Sequence, residues 1–358
     1  MRVLTINTGS SSIKLRLLGA GDELLGEHET DAPGTDVDAD ALARAIGELG
    51  EADAVAHRIV HGGERDKAAR VDDALLDELR ALTPLAPLHQ PKALAAIAAA
   101  GRARPELPVV GCFDTAFHAG LRPEAATYAL PAEWRARFGL RRIGFHGLSH
   151  SYAARRAGEV LWLRRGARIV TCHLGAGASL AAVRDGASVD TTMGFTPLEG
   201  IVMATRSGSV DPGLILWLVR QGILPEDLHD ALERRSGLLG LAGTADMREL
   251  LERDDADARL ALGIYLHRLA AAVAAMAAAL GGLDALVFTG GVGENAAAVR
   301  GGAAERLAFL GVALDREANA GAAGDADVSA RGAVARSAVV AAREDLEMAR
   351  QARAVLGA

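Results

Sequence analysis

The chain has 358 residues, 50% of them hydrophobic, 24% charged and 4% aromatic. At roughly 150 residues per domain this predicts about two domains, large enough to bury cores without staples, and it excludes disordered, collagenous and mini-protein classes. The 39 basic and 46 acidic residues leave a net charge of −7. No overall field attracts a polyanion, so nucleic acid is not expected as a partner.

Two thiols, Cys112 and Cys172, make no disulfide framework and fit a reducing, cytoplasmic compartment. The first residues, MRVLTIN, read directly as a strand, so no signal peptide is expected. The most apolar run, 269–283, is 15 residues of mostly Ala. It reads as too short and too weakly hydrophobic to span a bilayer, so no membrane is expected.

In chain order, residues 2–14, RVLTINTGSSSIK, read as a β-branched strand, a turn of Gly and Ser, and a second short strand. Residues 168–180, RIVTCHLGAGASL, repeat this pattern without gaps, setting Asn7 opposite His173 and Gly9 opposite Gly175. The copies lie too far apart for a solenoid period, and two related domains facing one cleft is the simpler reading. Tight turns of small residues expose N–H groups that hold anions, so each copy could grip phosphate. The plain alternative is two ordinary hairpins.

Between the copies, 52–60 and 106–114 read as strands and 73–82 and 91–103 as helices. After the second copy come a helix over 212–221 with Pro at its start and an Ala-rich helix from about 257 to 280. A buried-type strand over 285–291, a helix and a strand-like GVALD at 311–315 follow. Alternating strands and helices predict an α/β fold in both halves.

None of the three lysines, Lys14, Lys67 and Lys92, follows a glycine, which excludes a Walker loop. GVGENA at 291–296 matches the looser dinucleotide fingerprint, with Asp315 downstream, but begins too late for a full dinucleotide fold. A single-nucleotide contact at this strand-to-helix turn fits better. His57 and His61 in HRIVH, and His146 and His150 in HGLSH, invite a metal reading. The first pair sits at a strand end; the second lacks the Glu of a zincin and puts Gly147 where a helix suffers, so zinc is not expected. One His of the second pair could donate to an oxygen and the other cap a helix beginning near Ser151.

Arg58 ends an apolar strand, Arg206 sits among small residues in TRSGS, and Asp114 ends the strand VVGCFD. Guanidinium forks pair bidentately with phosphate or carboxylate, and open α/β sheets place active-site side chains at strand ends. The plain alternative for each is a rim ion pair.

Taken in order, INTGSSSIK, HRIVHGGE, PLAPLH, FDTAFH, GFHGLSH, HLGAGASL, DTTMGFTPLEG, TRSGSVDP, FTGGVGEN and REDLEMAR strongly resemble the acetate kinase family, of the acetate and sugar kinase/heat-shock/actin superfamily, over nearly the whole chain. The resemblance implies two actin-like, ribonuclease H-like domains related by duplication, with the active site in the cleft between them. The first would be 1–115, completed by a C-terminal helix at about 345–358; the second, 116–344, would bind nucleotide and form a homodimer.

By position, Asn7 and Glu344 match magnesium ligands, with manganese an alternative, and Lys14 matches a nucleotide contact. Arg58 and Arg206 match arginines that bind the substrate anion and the phosphoryl group in flight, Asp114 the catalytic aspartate and His146 the transition-state histidine. His173, Leu174, Gly175, Ala176 and Gly177, then Asp246, Met247 and Arg248, then Gly291, Val292, Gly293, Glu294 and Asn295 match the nucleotide-binding stretches. Val60, Leu88, Phe145 and Pro197 match the apolar pocket for the substrate methyl group. Two departures stand out. Ala176 replaces the Asn usual in the phosphate loop, and Ala342 and Arg343 replace the usual Thr-Asn before Glu344.

The implied reaction is reversible, direct in-line transfer from ATP to acetate, giving acetyl phosphate and ADP. Two rival readings share these residues. One is a propionate or butyrate kinase, since an extra methylene is worth only about 1–3 kcal/mol in a pocket. The other is a nucleotide-binding protein weakened in catalysis.

Overall fold

The hairpins at the two ends of the sequence echo found two sheets of one topology. The computed structural model describes residues 1–9, 12–31, 37–87 and 89–358. Among these residues the first sheet holds β1 (Val3–Thr8), β2 (Ser12–Leu18), β3 (Leu24–Asp31), β4 (Ala54–Ile59), β5 (Ala69–Arg70) and β6 (Val109–Phe113). The second holds β7 (Arg168–Leu174), β8 (Ala178–Arg184), β9 (Ala187–Thr191), β10 (Ala285–Thr289), β11 (Ala326–Asp327) and β12 (Arg336–Val339). The strand orders are β3-β2-β1-β4-β6-β5 and β9-β8-β7-β10-β12-β11. In both, the leading strand pairs antiparallel with the second and parallel with the fourth, and a two-residue antiparallel strand closes the far edge. The chain is a duplicated α/β fold.

The ungapped echo does not carry over to the pairing. Asn7 faces Lys14 in the first hairpin, but His173 faces Ser179 in the second, one position short of the aligned Leu180. The turns differ accordingly: Gly9 N–H donates to Ser12 O, and Gly175 N–H to Gly177 O.

The chain divides into a first unit, Met1–Ala119, Phe145–Tyr152 and Arg343–Ala358, and a second, Gly120–Gly144 and Ala153–Ala342. Alternation along the first sheet sorts side chains onto two faces. Leu4, Ile6, Ile13, Leu15 and Val55 bury against Leu42 and Ile46 of helix Ala39–Glu48 and Ala96 and Ala100 of helix Gln90–Ala103. The other face sets Val3, Leu18, Ala56 and Val110 against Met348, Ala349 and Ala352 of helix Glu344–Leu356. Each fully buried Leu, Ile or Val there contributes about 1.5–3 kcal/mol. The segment Phe145–Tyr152 belongs to this unit because Gly147 N–H donates to Asp114 O at 2.9 Å and His118 Nε2 lies 3.0 Å from Phe145 O.

In the second unit the helix read from about 257 to 280 is Ala256–Leu280, and the apolar run 269–283 passes its end by three residues. The helix's 25 residues are long and apolar enough to cross a membrane by length and composition alone, where the 15-residue run by itself read as too short. Here Tyr265, Leu269, Val273 and Met276 are buried as the helix packs on β7, β8 and β9. It ends at Gly281, which adopts a φ of 73°.

Three other expectations need correction. The strand over 285–291 stops at Thr289, and helix Gly290–Asn295 begins at once. GVALD at 311–315 is no strand; only Val312 and Leu314 make isolated bridges, to Ala335 and Ser329. The helix expected near Ser151 begins at Gly147 and runs to Val160, because at its first position glycine escapes the interior penalty and allows close approach. A Cβ on Gly147 would lie 2.1 Å from Asp114 O.

Candidate active site

In the first unit, register gathers the charged residues. Asn7, Arg58 and Cys112 stand side by side on neighbouring strands, with Asp114 just past β6 on the same face, and helix Glu344–Leu356 lies over that face. Arg58 Nη2 and Nε donate to Asp114 Oδ2 at 2.7 and 3.1 Å, and Nη1 donates to Asn7 Oδ1 at 3.1 Å. Arg58 Nη1 also lies 3.2 Å from Glu344 Oε2, which accepts from Asn7 Nδ2 at 2.7 Å. The structure thus brings Asn7, Arg58, Asp114 and Glu344 into one cluster.

Burial pushes the Asp114 carboxyl up, Arg58 opposes this and Glu344 adds to it, for a result of about 6. Burial works against the charge on Arg58, but Asp114 and Glu344 more than offset it, so its pKa is raised. Asp114 Oδ1 is buried with no hydrogen-bond partner. An orphaned carboxylate oxygen beside a second carboxylate and an amide is an all-oxygen donor set. Magnesium, which takes one or two carboxylates and otherwise keeps waters and phosphates, fits these residues. Arg343, beside Glu344, is engaged elsewhere: its Nε and Nη2 donate to Asp345 at 3.0 and 2.8 Å.

His146 precedes the helix at a φ of 55°, a left-handed conformation that costs a side chain such as His about 1–3 kcal/mol. Sequence reading did not foresee this; the only cue is its place before Gly147. His150 falls in the first turn of that helix and is fully buried, so it does not cap a later start. Phe145 is buried with His61 edge-on at 5.9 Å, and Val60 is buried just past β4. Leu88 lies outside the described residues. Lys14 shares the Asn7 face but stays half exposed and pairs with Glu29 at 3.4 Å.

In the second unit, Arg206 Nε donates to Glu233 Oε2 at 3.0 Å, and both side chains are largely buried. Arg206 Nη1 lies 3.5 Å from Pro197 O, placing arginine and proline together. Glu233 went unnoticed in the sequence, where it is one of many acids in a surface-type helix.

The stretch of His173, Leu174, Gly175, Ala176 and Gly177 closes the β7–β8 hairpin, and Gly291, Val292, Gly293, Glu294 and Asn295 form the helix after β10. Because β10 lies parallel beside β7, with Thr289 opposite His173, both turns emerge at the same sheet end. A Cβ on Gly290, whose φ is 79°, would sit 2.8 Å from Leu174 O, so glycine is what allows this approach. Ala176 is exposed at the hairpin tip. Asp246, Met247 and Arg248 belong to a separate helix, Met247–Glu252. Asp246 caps it by accepting from Arg248 N–H at 2.8 Å, and the Arg248 guanidinium holds its carboxyl down at about 2. Asp315 likewise serves as a helix cap, accepting from Ala318 N–H.

A carboxylate–arginine centre at strand ends and a paired set of glycine turns, on a duplicated sheet topology, are the parts of a two-unit α/β kinase. The chain belongs to the acetokinase family, whose profile matches residues 22–350. Its relatives include an acetate kinase of Deinococcus deserti, 45% identical across all of this chain and 98% of that protein, and one of Thermotoga maritima, 41% identical across 89% of each. Among solved structures, an acetate kinase of Porphyromonas gingivalis aligns with a TM-score of 0.89 and 33% identity over 99% of both chains. A propionate kinase from Francisella tularensis aligns with 0.89 and 34% over 98% of both.

Proposed function

We propose that this kinase transfers the γ-phosphoryl group of ATP to acetate, reversibly and in line, giving acetyl phosphate and ADP. The observation that carries the reading is the cluster of Arg58 and Asn7 on the buried carboxylates of Asp114 and Glu344 at the strand ends of the first sheet. Phosphoryl transfer asks a protein for positioning and charge neutralisation more than covalent chemistry. A carboxylate is ionised at pH 7 and needs no general base, so Asp114 serves to organise metal and water rather than to take a proton from acetate.

Asn7, Asp114 and Glu344 would hold magnesium, which when bound neutralises phosphate charge. Arg58 would orient the acetate carboxylate. Arg206 and His146 would stabilise the charge on the equatorial oxygens, and Val60, Leu88, Phe145 and Pro197 would receive the methyl group. The glycine hairpin at 175–177 and the turn at 291–295, with Asp246, Met247, Arg248 and Lys14, would hold the nucleotide.

The test is a hydroxamate trap for acyl phosphate. Product that requires ATP, magnesium and acetate together supports the reading; nucleotide binding without product overturns it. Running formate, propionate and butyrate alongside, as relative kcat/KM, fixes the acid.

A homodimer through the second unit is part of the proposal. It is supported by helix Pro212–Arg220, which buries none of its residues although Leu214, Leu216, Trp217 and Val219 are apolar. Light scattering of the purified chain at monomer mass would refute it. A cytoplasmic location is supported by both cysteines being free and buried.

A further inference from the structure

Arg300 is a charged side chain with 1% exposure, seated in helix Ala297–Arg306 of the second unit. Its guanidinium makes four hydrogen bonds, each to a neutral acceptor. Nη1 donates to Gly293 O at 2.9 Å and Glu294 O at 2.7 Å. Nε donates to Asn319 Oδ1 at 2.7 Å, and Nη2 to Asn319 O at 2.5 Å. Asn319 in turn donates from Nδ2 to Ala297 O at 3.0 Å. Burial disfavours the charge.

A buried guanidinium placed on backbone carbonyls is expensive unless those carbonyls have to be held. The carbonyls are two of the last three of helix Gly290–Asn295, which its own backbone leaves without partners. The two before them are met locally, Gly291 O by Asn295 Nδ2 and Val292 O by Ala296 N–H. Arg300 meets the next two, and a cation is the favourable charge at a helix C-terminus. The turn it fixes emerges beside the β7–β8 hairpin.

We infer that Arg300, itself braced by Asn319, is a positioning residue for nucleotide binding: it locks the backbone of the Gly290–Asn295 turn in the shape that receives the nucleotide. The inference rests on the proposed kinase reading and names a residue pair that touches neither substrate.

The test compares Arg300→Met, Arg300→Lys and Asn319→Ala with the unmodified chain. Affinity for a fluorescent ATP analogue is read directly, KM for ATP and for acetate are read separately, and circular dichroism selects folded protein. In Arg300→Met the analogue's Kd and the KM for ATP rise about tenfold or more, while the KM for acetate stays within about twofold. Arg300→Lys, which keeps a cation for the carbonyls, recovers part of the loss, and Asn319→Ala shifts the same two quantities less. Should Arg300→Met fail to fold, the other two variants decide.

Unchanged analogue affinity in folded Arg300→Lys and Asn319→Ala overturns the inference, as does an equal rise in both KM values. If the unmodified chain binds the analogue but forms no acyl phosphate, the kinase reading fails while the binding data still judge Arg300. If it binds no analogue, both fail.

Discussion

Arg58 donates two nitrogens to a single oxygen of Asp114: Nη2 at 2.7 Å and Nε at 3.1 Å both reach Oδ2, while Oδ1 is buried and unmet. One guanidinium therefore serves two buried carboxylates, since Glu344 lies 3.2 Å from Nη1. Arg58→Ala leaves both acids buried without their cation, which costs about 3–5 kcal/mol for a broken buried pair. The loss shrinks between pH 7 and pH 5, because Asp114 escapes it by taking a proton. Urea melts at the two pH values check this. In the same variant the apparent KM for acetate rises first, and an unchanged KM would remove Arg58 from the substrate site.

Arg206 donates from Nε to Glu233, whose side chain is 10% exposed. If Arg206 stabilises charge that develops during transfer, Arg206→Ala lowers kcat by about 10²–10³, as loss of a transition-state donor does elsewhere. Nucleotide affinity changes much less. Arg206→Lys keeps a charge near Glu233 but not the planar fork, so it recovers stability more than rate. Near-normal turnover in Arg206→Ala would refute the assignment.

Stability depends on pH through groups that pull in opposite directions. Burial lowers His57 to about 3 and His61 and His118 to about 4, against 6.5 when unfolded. For these three the unfolded chain binds protons more readily, so stability is complete above pH 6.5 and is lost as pH falls toward 4 and 3. Asp114, raised from 3.8 to about 6, acts in the other sense: stability falls as pH rises from 4 to 6. The three histidines together outweigh Asp114, giving a net loss on acidification below pH 6.5. His57 has both ring nitrogens buried without partners. His57→Leu, of similar volume, keeps its stability at pH 7 and flattens the acid slope of the urea midpoint. A slope as steep as that of the unmodified chain would contradict this.

The hairpin echo at 2–14 and 168–180 was legible because β-branched runs around small-residue turns fix strands locally. The register was not, because it depends on which N–H closes each turn. Gly9 reaches Ser12 where Gly175 reaches Gly177, and one residue changes every cross-strand partner. Arg58, Asp114 and Arg206 stood out as charges among apolar or small neighbours. Arg300 did not, because its partners are backbone carbonyls, which no side-chain pattern reveals. The start of helix Gly147–Val160 was missed for a related reason: Gly147 reads as a helix breaker until the closeness of Asp114 O is known.

Tyr128 stands outside every motif, yet its hydroxyl accepts from Phe195 N–H at 2.9 Å and donates to Glu199 Oε2 at 2.7 Å. Arg142 holds the other Glu199 oxygen from Nη2 at 2.9 Å and donates from Nη1 to the carbonyls of Thr191, Thr192 and Met193. The segment carrying Pro197 is thus held by three side chains, and a Cβ on Gly194 would lie 2.2 Å from the Tyr128 oxygen, so a larger residue there would push this network aside. Burial and Glu199 push the Tyr128 hydroxyl up to about 12, so it remains a donor throughout the working pH range. Tyr128→Phe keeps the ring beside Arg142 but removes the partner of the Phe195 N–H and of one Glu199 oxygen, a cost of about 0.5–1.5 kcal/mol for hydrogen bonds that are only half-buried. If Pro197 walls the acetate pocket, the variant raises the KM for acetate while that for ATP holds. A melt midpoint and an acetate KM both equal to those of the unmodified chain would show that the hydroxyl fixes nothing in this segment.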